Sequence, residues 1–484
     1  MEHQFLIIVF ISVNNNQNNN HKPDIVDYLV DDILRPIGRG LFKVLSFKGK
    51  SKVKDNRIII GKDENNQEHH IYPEERREHS LISGTNGSGK SLEAIKNTVQ
   101  LINLGYRVCY IDPAGTGTEA TYKAIKNTDN ILYLSLNKDL QKDKILGFNP
   151  FYFIDQDTYN LNQYASDLYR MIFDNSSMEI KIQGKFIVES VIYFHNCYLF
   201  YLSNNGVELD KIQLNAKQKQ ITFNDISLIM NNNQNIFDLF YDVLSTNCEF
   251  KRIDLATRWH NVKNDKKTLN YLIQASKRFE DYTDNSASSN FLESTGFNPL
   301  EALKENKTVL IDLKGIDPSV CGLISSLIFS KLAGMHKNKE LKGQTDLFID
   351  EAKGITIPNL EEMITECRKD KLAITLIFQY LTQFDNQPKT KQAIQNCIAH
   401  TYEFVNNHPA IKSEDTKDLK QLAKFNFLYT YNGEIKVRKI LKVDFPKQLR
   451  EFTYEPKGEL KTVIKARKQA KLNNIYNYFT TYEN

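Results

Sequence analysis

The chain has 484 residues, 41% of them hydrophobic and 25% charged. That composition is near the globular average and excludes wholesale disorder and a polytopic membrane protein, while the length accommodates about three domains. With 63 Lys and Arg against 59 Asp and Glu the formal net charge is +4, too weak a bias to mark a nucleic-acid binder, so any basic partner surface has to be local.

Residues 1–57 read as an N-terminal low-complexity and basic amphipathic segment. Phe5 to Val13 (FLIIVFISV) is apolar, but it has about half of the roughly 20 residues a bilayer crossing needs and no preceding Lys or Arg to make a signal peptide. Asn14 to Asn20 (NNNQNNN) is a polar linker. From Lys22 to Arg57, apolar residues alternate with Arg35, Arg39, Lys43, Lys48, Lys50, Lys52, Lys54 and Arg57. This stretch suits either a peripheral contact with an anionic membrane face or a solvated helix and linker, because Pro36, Gly38 and Gly40 interrupt helical spacing.

Residues 58–154 form the first part of a nucleotide-binding core. His79 to Ser83 (HSLIS) is a short buried strand, followed at once by Gly84-Thr85-Asn86-Gly87-Ser88-Gly89-Lys90-Ser91, which matches G-x-x-x-x-G-K-[ST]. Leu92, Ile95, Val99 and Ile102 then recur at helical spacing until Gly105, so the motif sits between a strand and a helix. Glycines let successive N–H groups face phosphate oxygens, and the helix N-terminus adds a partial positive charge. Lys90 is expected to reach the β- and γ-phosphates and the Ser91 hydroxyl to ligate Mg²⁺. ATP is the expected ligand, since no guanine-reading N-K-x-D accompanies the loop.

Residues 155–295 separate the early strands from the later ones and are too long for a loop. Helical periodicity in Leu161, Tyr164, Ala165, Leu168, Met171 and Ile172, again near Ile187–Leu202 and near Ala256–Phe279, marks an all-helical insertion. Gly147-Phe148-Asn149-Pro150 before it is echoed by Gly296-Phe297-Asn298-Pro299 after it. Residues 296–455 complete the core with strands at Val309–Leu313, Thr345–Ile349 and Ala373–Phe378, joining Val108–Ile111 and Ile131–Leu134. The alternation of strands with helical spacers predicts an α/β core with a mainly parallel sheet. Asn432-Gly433 marks a hairpin turn between Phe425–Tyr431 and Glu434–Val443.

Thr345 to Ile349 delivers Asp350-Glu351 at its C-terminal end, where open α/β sheets bind ligands. Asp350 is expected to hold the Mg²⁺ shell and Glu351 to orient and deprotonate the attacking water. Residues 456–484 form a basic helical tail carrying Lys461, Lys465, Arg467, Lys468 and Lys471 with Glu459 opposing, suited either to phosphate backbones or to a solvated surface. Cys109, Cys197, Cys248, Cys321, Cys367 and Cys397 lie far apart with no C-x-x-C pair, which fits reduced thiols and no metal-thiolate site.

The strand and loop at His79–Gly84, the segments Tyr110-Ile111-Asp112-Pro113-Ala114-Gly115 and Gly147–Pro150, and the later Ile357–Leu360, Cys367-Arg368-Lys369 and Leu376–Phe384 together resemble one family. It comprises the coupling ATPases of conjugation and type IV secretion, the TraD/TraG-like branch of the HerA/FtsK pumping motors. The resemblance spans about Ile58 to Phe445 and implies a RecA-like P-loop NTPase core interrupted by an all-helical insertion domain. It implies that Gln379 senses the γ-phosphate and that Arg368 reaches the nucleotide of a neighbouring subunit in a homo-hexameric ring. It also implies a DNA substrate, taken without sequence preference, relaxase-like or secretion-channel partners, and a site of work in a bacterial-type cytoplasm or at the cytoplasmic face of the inner membrane. Two departures stand out: no transmembrane helices are found where such coupling proteins usually begin with them, and Ala114 stands where many relatives carry Lys. A soluble HerA-like translocase and a recruiting platform with structural nucleotide binding are the alternatives.

Overall fold

A computed structural model describes residues 56–481 except 64, 153–160, 174–175, 209–210, 213–217, 233, 353–359, 406–421, 423–425, 433, 438–451 and 453. The apolar stretch 5–13, the polar run 14–20, nearly all of the basic stretch 22–57 and the segment Ile357-Pro358-Asn359 lie outside the described residues.

Nine strands form the central sheet: β1 His79–Ser83, β2 Arg107–Asp112, β3 Ile131–Ser135, β4 Thr308–Asp312, β5 Thr345–Ile349, β6 Leu372–Phe378, β7 Ile398–Glu403, β8 Leu428–Tyr431 and β9 Glu434–Val437. Their order is β9-β8-β7-β1-β6-β5-β2-β4-β3. Pairing is parallel from β7 through to β3 and antiparallel at the β7-β8-β9 edge. The central strands are continuous apolar runs because both of their faces are covered. Alternate residues feed two cores: Ile82, Val108, Tyr110, Leu310, Phe348 and Ile377 on one side, and Leu81, Cys109, Ile111, Val309, Leu347 and Leu376 on the other. The predicted strands of the sheet are all present, displaced by at most a residue or two at their ends, and the terminal hairpin is present over its described residues.

The helix after the glycine-rich loop, α1 Lys90–Leu104, ends at Gly105, whose φ of 88° lets its N–H reach Ile102 O at 2.9 Å while Tyr106 N–H reaches Leu101 O at 3.0 Å. This is the left-handed closure that glycine permits at a helix end. A second helix, α2 Thr116–Ala124, follows β2.

Among the described residues the insertion is built of seven helices: α3 Leu161–Phe173, α4 Met178–Asn204, α5 Phe223–Asn232, α6 Gln234–Ser245, α7 Ile253–Val262, α8 Lys266–Glu280 and α9 Ser286–Glu293. The helical expectation for this region therefore matches the described residues. Helix α4 is apolar around most of its circumference because α3, α6 and α8 all pack on it. Trp259 is fully buried against Phe186, Phe237 and Phe240.

The two G-F-N-P segments form the stem of the insertion. Gly147 and Gly296 make a parallel bridge, Phe297 N–H donates to Gly147 O at 2.9 Å, and Phe148 N–H donates to Phe291 O at 2.9 Å. The rings of Phe148 and Phe297 meet edge to face at 5.8 Å. A Cβ on Gly147 would fall 2.1 Å from Ser294 Cβ, so only glycine allows this approach. The echo noted in the sequence is thus a pair of chain crossings lying side by side.

Beyond the stem run α10 Pro299–Lys304, α11 Pro318–Lys337, α12 Leu360–Cys367 and α13 Pro388–Cys397. By length and apolarity α11 alone among the described helices could cross a membrane, but 72% of its apolar window is buried inside the fold. The tail supplies a two-residue strand, Glu459–Leu460, paired with Lys144–Ile145, and then α14 Lys461–Asn473 and α15 Ile475–Thr480.

The tail helix is mostly exposed, as a solvated surface helix would be, but several of its cations turn to protein partners. Lys471 is 2% exposed, and its ammonium lies 2.7 Å from Asp225 and 2.7 Å from Glu293, with Gln220 O at 3.0 Å. Arg467 donates to Glu293 O and Glu459, and Lys468 to Ser289 and Asn290. Three of the five cations expected to face phosphate or water are therefore committed to the insertion or to the tail itself, while Lys465 is exposed. The physical reason is that the insertion buries two carboxylates, which need a cation at hydrogen-bonding distance. Burial and then Glu293 push Asp225 up to about 6 even though Lys471 opposes them. Burial also opposes the charge on Glu293, but there Lys471 prevails and holds the carboxyl below its usual range.

Candidate nucleotide-binding site

The loop between β1 and α1 is anchored at its start to both neighbouring strands. Gly84 N–H donates to Gln379 O at 3.1 Å, just past β6, and Thr85 N–H donates to Val405 O at 2.9 Å, just past β7. A Cβ on Gly84 (φ 149°) would lie 2.6 Å from Phe404 Cβ, so this residue admits no side chain without displacing β7. Gly87 and Gly89 also have positive φ, 74° and 123°. Among the described residues nothing accepts a hydrogen bond from the N–H groups of Asn86, Gly87 or Gly89, and the Ser88 hydroxyl is buried without a partner. Immediately after them come Lys90 and Ser91 in the first turn of α1, whose N–H groups have no intrahelical acceptor. A cradle of donors at a helix N-terminus is the setting a polyphosphate requires.

Lys90 donates to Thr85 O at 3.0 Å. Burial lowers its pKa, while the charges of Asp350 and Glu351 act in the other direction, so both carboxylates lie within electrostatic reach of the ammonium. Asp350 follows β5, its N–H donating to Ile111 O at 3.0 Å, and its Oδ1 accepts from Glu351 N–H at 2.9 Å. Burial first, then the neighbouring Asp112 and Glu351, push its carboxyl up to about 7. Such a carboxyl is short of positive charge, and a divalent cation supplies it. Glu351 is exposed and has φ of 52°, a left-handed conformation uncommon for a side-chain-bearing residue and enriched at functional sites. Ser91 and Asp350 are thus the residues that fit Mg²⁺.

Gln379 is joined to the loop through its carbonyl, and its N–H donates to Gln383 Oε1 at 3.2 Å. The parallel alignment of β1, β6 and β5 places Ser83 beside Phe378 and Ile349 beside Leu376. In consequence Lys90, Ser91, Asp350, Glu351 and Gln379 all emerge at the same C-terminal edge of the sheet. Arg368 does not join them. Its guanidinium pairs with Glu78 at 2.9 Å, before the N-terminal end of β1, and its side chain is 58% exposed. It therefore lies at the opposite end of the strand that leads into the loop.

Asp112, at the end of β2, is a site residue to which the sequence reading gave no role. It is fully buried, accepts from the N–H groups of Ala114, Gly117 and Thr118 at 2.9, 2.7 and 3.0 Å, and raises the pKa of Asp350. It thereby fixes the start of α2 and adds negative charge behind the Asp350 carboxyl. An acidic residue closing a buried strand and followed by Pro and Gly was the available signal.

A family described as Type IV secretory system Conjugative DNA transfer matches residues 43–423. Among solved structures, the plasmid coupling protein TrwB in complex with the non-hydrolysable ATP analogue ADPNP is similar with a TM-score of 0.52 and 13% identity, over 80% of this chain and 89% of that one. TrwB in complex with ADP and Mg²⁺ gives 0.50 and 12% identity, over 80% and 89%. The unbound bacterial conjugative coupling protein TrwBdeltaN70 gives 0.50 and 12%, over 81% and 90%. At these identities the likeness concerns the fold. No curated protein matches the chain.

Proposed function

Since the chain belongs to the Type IV secretory system Conjugative DNA transfer family, we propose that it is an ATP-hydrolysing ring motor that couples DNA, or a DNA–protein conjugate, to a secretion channel and pumps it. The observation that carries this reading is the convergence of Lys90, Asp350, Glu351 and Gln379 at one sheet edge, tied together by the Gly84 to Gln379 hydrogen bond.

In this reading the glycine loop and Lys90 hold the phosphates of ATP, and Ser91 and Asp350 hold Mg²⁺. The bound metal ion neutralises charge on the phosphate oxygens. Glu351 orients the attacking water and takes its proton. The Gln379 amide donates to phosphate and accepts from that water, so it distinguishes ATP from its product. Arg368, remote from the loop of its own subunit and exposed, serves the nucleotide of an adjacent subunit in a homo-hexamer, where it stabilises transition-state charge. The substrate is DNA bound without sequence preference, with relaxase-like and channel proteins as partners. The basic N-terminal stretch makes peripheral contact with the cytoplasmic face of the membrane.

Two variants test the motor. Lys90→Ala and Glu351→Gln are each expected to lower DNA-stimulated ATP hydrolysis at least about 100-fold, for Glu351 the lower bound of the range for loss of a general base, and to abolish transfer of a mobilisable plasmid. A platform with structural nucleotide binding predicts otherwise: no stimulation by single-stranded or duplex DNA, and transfer intact in both variants. That outcome overturns the motor reading.

A further inference from the structure

Two sulfurs far apart in sequence meet inside the insertion. Cys197 lies in the C-terminal half of α4 and Cys248 in the loop between α6 and α7, and their Sγ atoms are 3.6 Å apart. The Cys248 thiol donates to Cys197 Sγ, and the Cys197 thiol in turn donates to Phe250 O at 3.4 Å. Cys197 is buried and Cys248 partly exposed. None of Cys109, Cys321, Cys367 or Cys397 touches a second sulfur among the described residues. A disulfide bond is about 2.05 Å long, so the two sulfurs need to approach by roughly 1.5 Å, a displacement within reach of small side-chain rotations.

We propose that Cys197 and Cys248 form an oxidisable dithiol site, closed to a disulfide by a low-molecular-weight disulfide such as oxidised glutathione. The partly exposed sulfur reacts first. The Cys248 thiolate attacks one sulfur of the small disulfide, forming a Cys248–glutathione mixed disulfide and releasing one glutathione thiolate. Cys197 then attacks Cys248 Sγ, the bond from Cys248 to glutathione breaks, and the departing thiolate takes the Cys197 proton. The net change is oxidation of two protein thiols to one disulfide and reduction of one glutathione disulfide to two glutathione thiols. Burial and then Cys248 push the Cys197 thiol up, which assigns it the second, intramolecular step rather than the first encounter.

The bond would fasten the end of α4 to the α6–α7 loop. That loop leads into Arg252, which pairs with Glu189 and Asp254 and lies over the Tyr193 ring at 4.8 Å. The crosslink would thus lock an edge of the insertion that is otherwise held by partly exposed ion pairs.

The test uses the reduced full-length protein, incubated with oxidised glutathione at mildly alkaline pH, alkylated, digested without reductant and mapped by mass spectrometry. The expected product is one linked peptide pair containing Cys197 and Cys248, lighter by two hydrogens than the reduced pair, with two fewer alkylatable thiols and full reversal by dithiothreitol. Cys248→Ser is expected to leave Cys197 reduced and alkylatable after denaturation. Cys197→Ser is expected to stop at the glutathione adduct on Cys248. Accumulation of that adduct on the unmodified protein, retention of all thiols, or linkage through any other cysteine overturns the proposal. The Cys248→Ser arm keeps the test decisive should a substitution at the buried Cys197 prevent folding.

Discussion

Lys471→Met would leave Asp225 and Glu293 buried without their cation, while the methionine fills much the same volume. Removing one partner of a buried ion pair costs about 3–5 kcal/mol, because a charge remains without compensation. Here one ammonium serves two carboxylates at 2.7 Å each, so the upper half of that range applies. Unfolding entropy of about 2.1 cal/mol/K per residue converts this loss to a fall in Tm. If the insertion, roughly 140 residues, melts as its own unit, the fall is on the order of 14–17 °C; if core and insertion melt together it is about 4–6 °C. Calorimetry of the two proteins therefore reads both the size of the effect and the cooperativity of the fold. The pH dependence has a definite sign. In the variant both carboxyls have folded pKa values above their unfolded ones, so their protonated forms are stabilised; the defect is smallest below about pH 4 and grows as pH rises through the raised values. Lys471→Met combined with Asp225→Asn and Glu293→Gln should regain most of the loss, since the charges leave together. A single variant within 1 kcal/mol of the parent at pH 7.5, or a defect that grows on acidification, would refute the reasoning.

The remaining expectations concern the stem, the sheet and the subunit contact. Gly147→Ala must displace Ser294, whose atoms lie 2.1–2.4 Å from the added Cβ. It should destabilise by about 1–3 kcal/mol as overpacking does, read as a lower urea midpoint; an unchanged midpoint would mean that the stem is not tightly closed. His79 is fully buried, with its Nε2–H donating to Ile364 O at 2.6 Å and its Nδ1 accepting from Ile374 N–H at 3.1 Å, and burial lowers its pKa to about 4. Its folded pKa is below the unfolded value, so the stability it confers is present above about pH 6.5 and is lost as pH falls toward 4, by roughly 3 kcal/mol at most. His79→Gln should flatten the acid limb of a Tm profile between those values, and an unaltered slope would exclude His79 as its source. For Arg368, hydrolysis per active site in an equimolar mixture of Arg368→Ala and Lys90→Ala proteins should exceed that of either protein alone. Failure of the mixture to recover any activity would argue against an arginine supplied by the neighbouring subunit.

How much of this could be read beforehand depended on how local each determinant is. The glycine loop is fixed by eight consecutive residues between a strand and a helix, and the structure keeps it there. Strands β4, β5 and β6 are buried on both faces, so their uninterrupted apolar runs marked them to within a residue. Asp350 and Glu351 followed from their place at the end of such a run. What escaped prediction was decided by partners distant in sequence. Lys471 meets carboxylates 178 and 246 residues earlier, and a helical periodicity that reads as a basic surface contains nothing to announce them. Gly147 and Gly296 are paired by the fold of everything between them. Cys197 and Cys248 come together through helix packing, not through motif spacing.

The buried Lys471 also bears on the order in which the chain matures. The insertion is complete in sequence by residue 295, yet the cation that its Asp225 and Glu293 require emerges from the ribosome nearly two hundred residues later. Domains tend to fold in the order in which they are synthesised, but here an early domain keeps two carboxylates awaiting a charge until residue 471 has been made. A chain cut short by a nonsense codon between residues 296 and 470 would carry the glycine-loop sequence and an uncompensated insertion, and would be open to proteolysis. The tail thereby makes the charge balance inside the insertion wait on synthesis of residue 471.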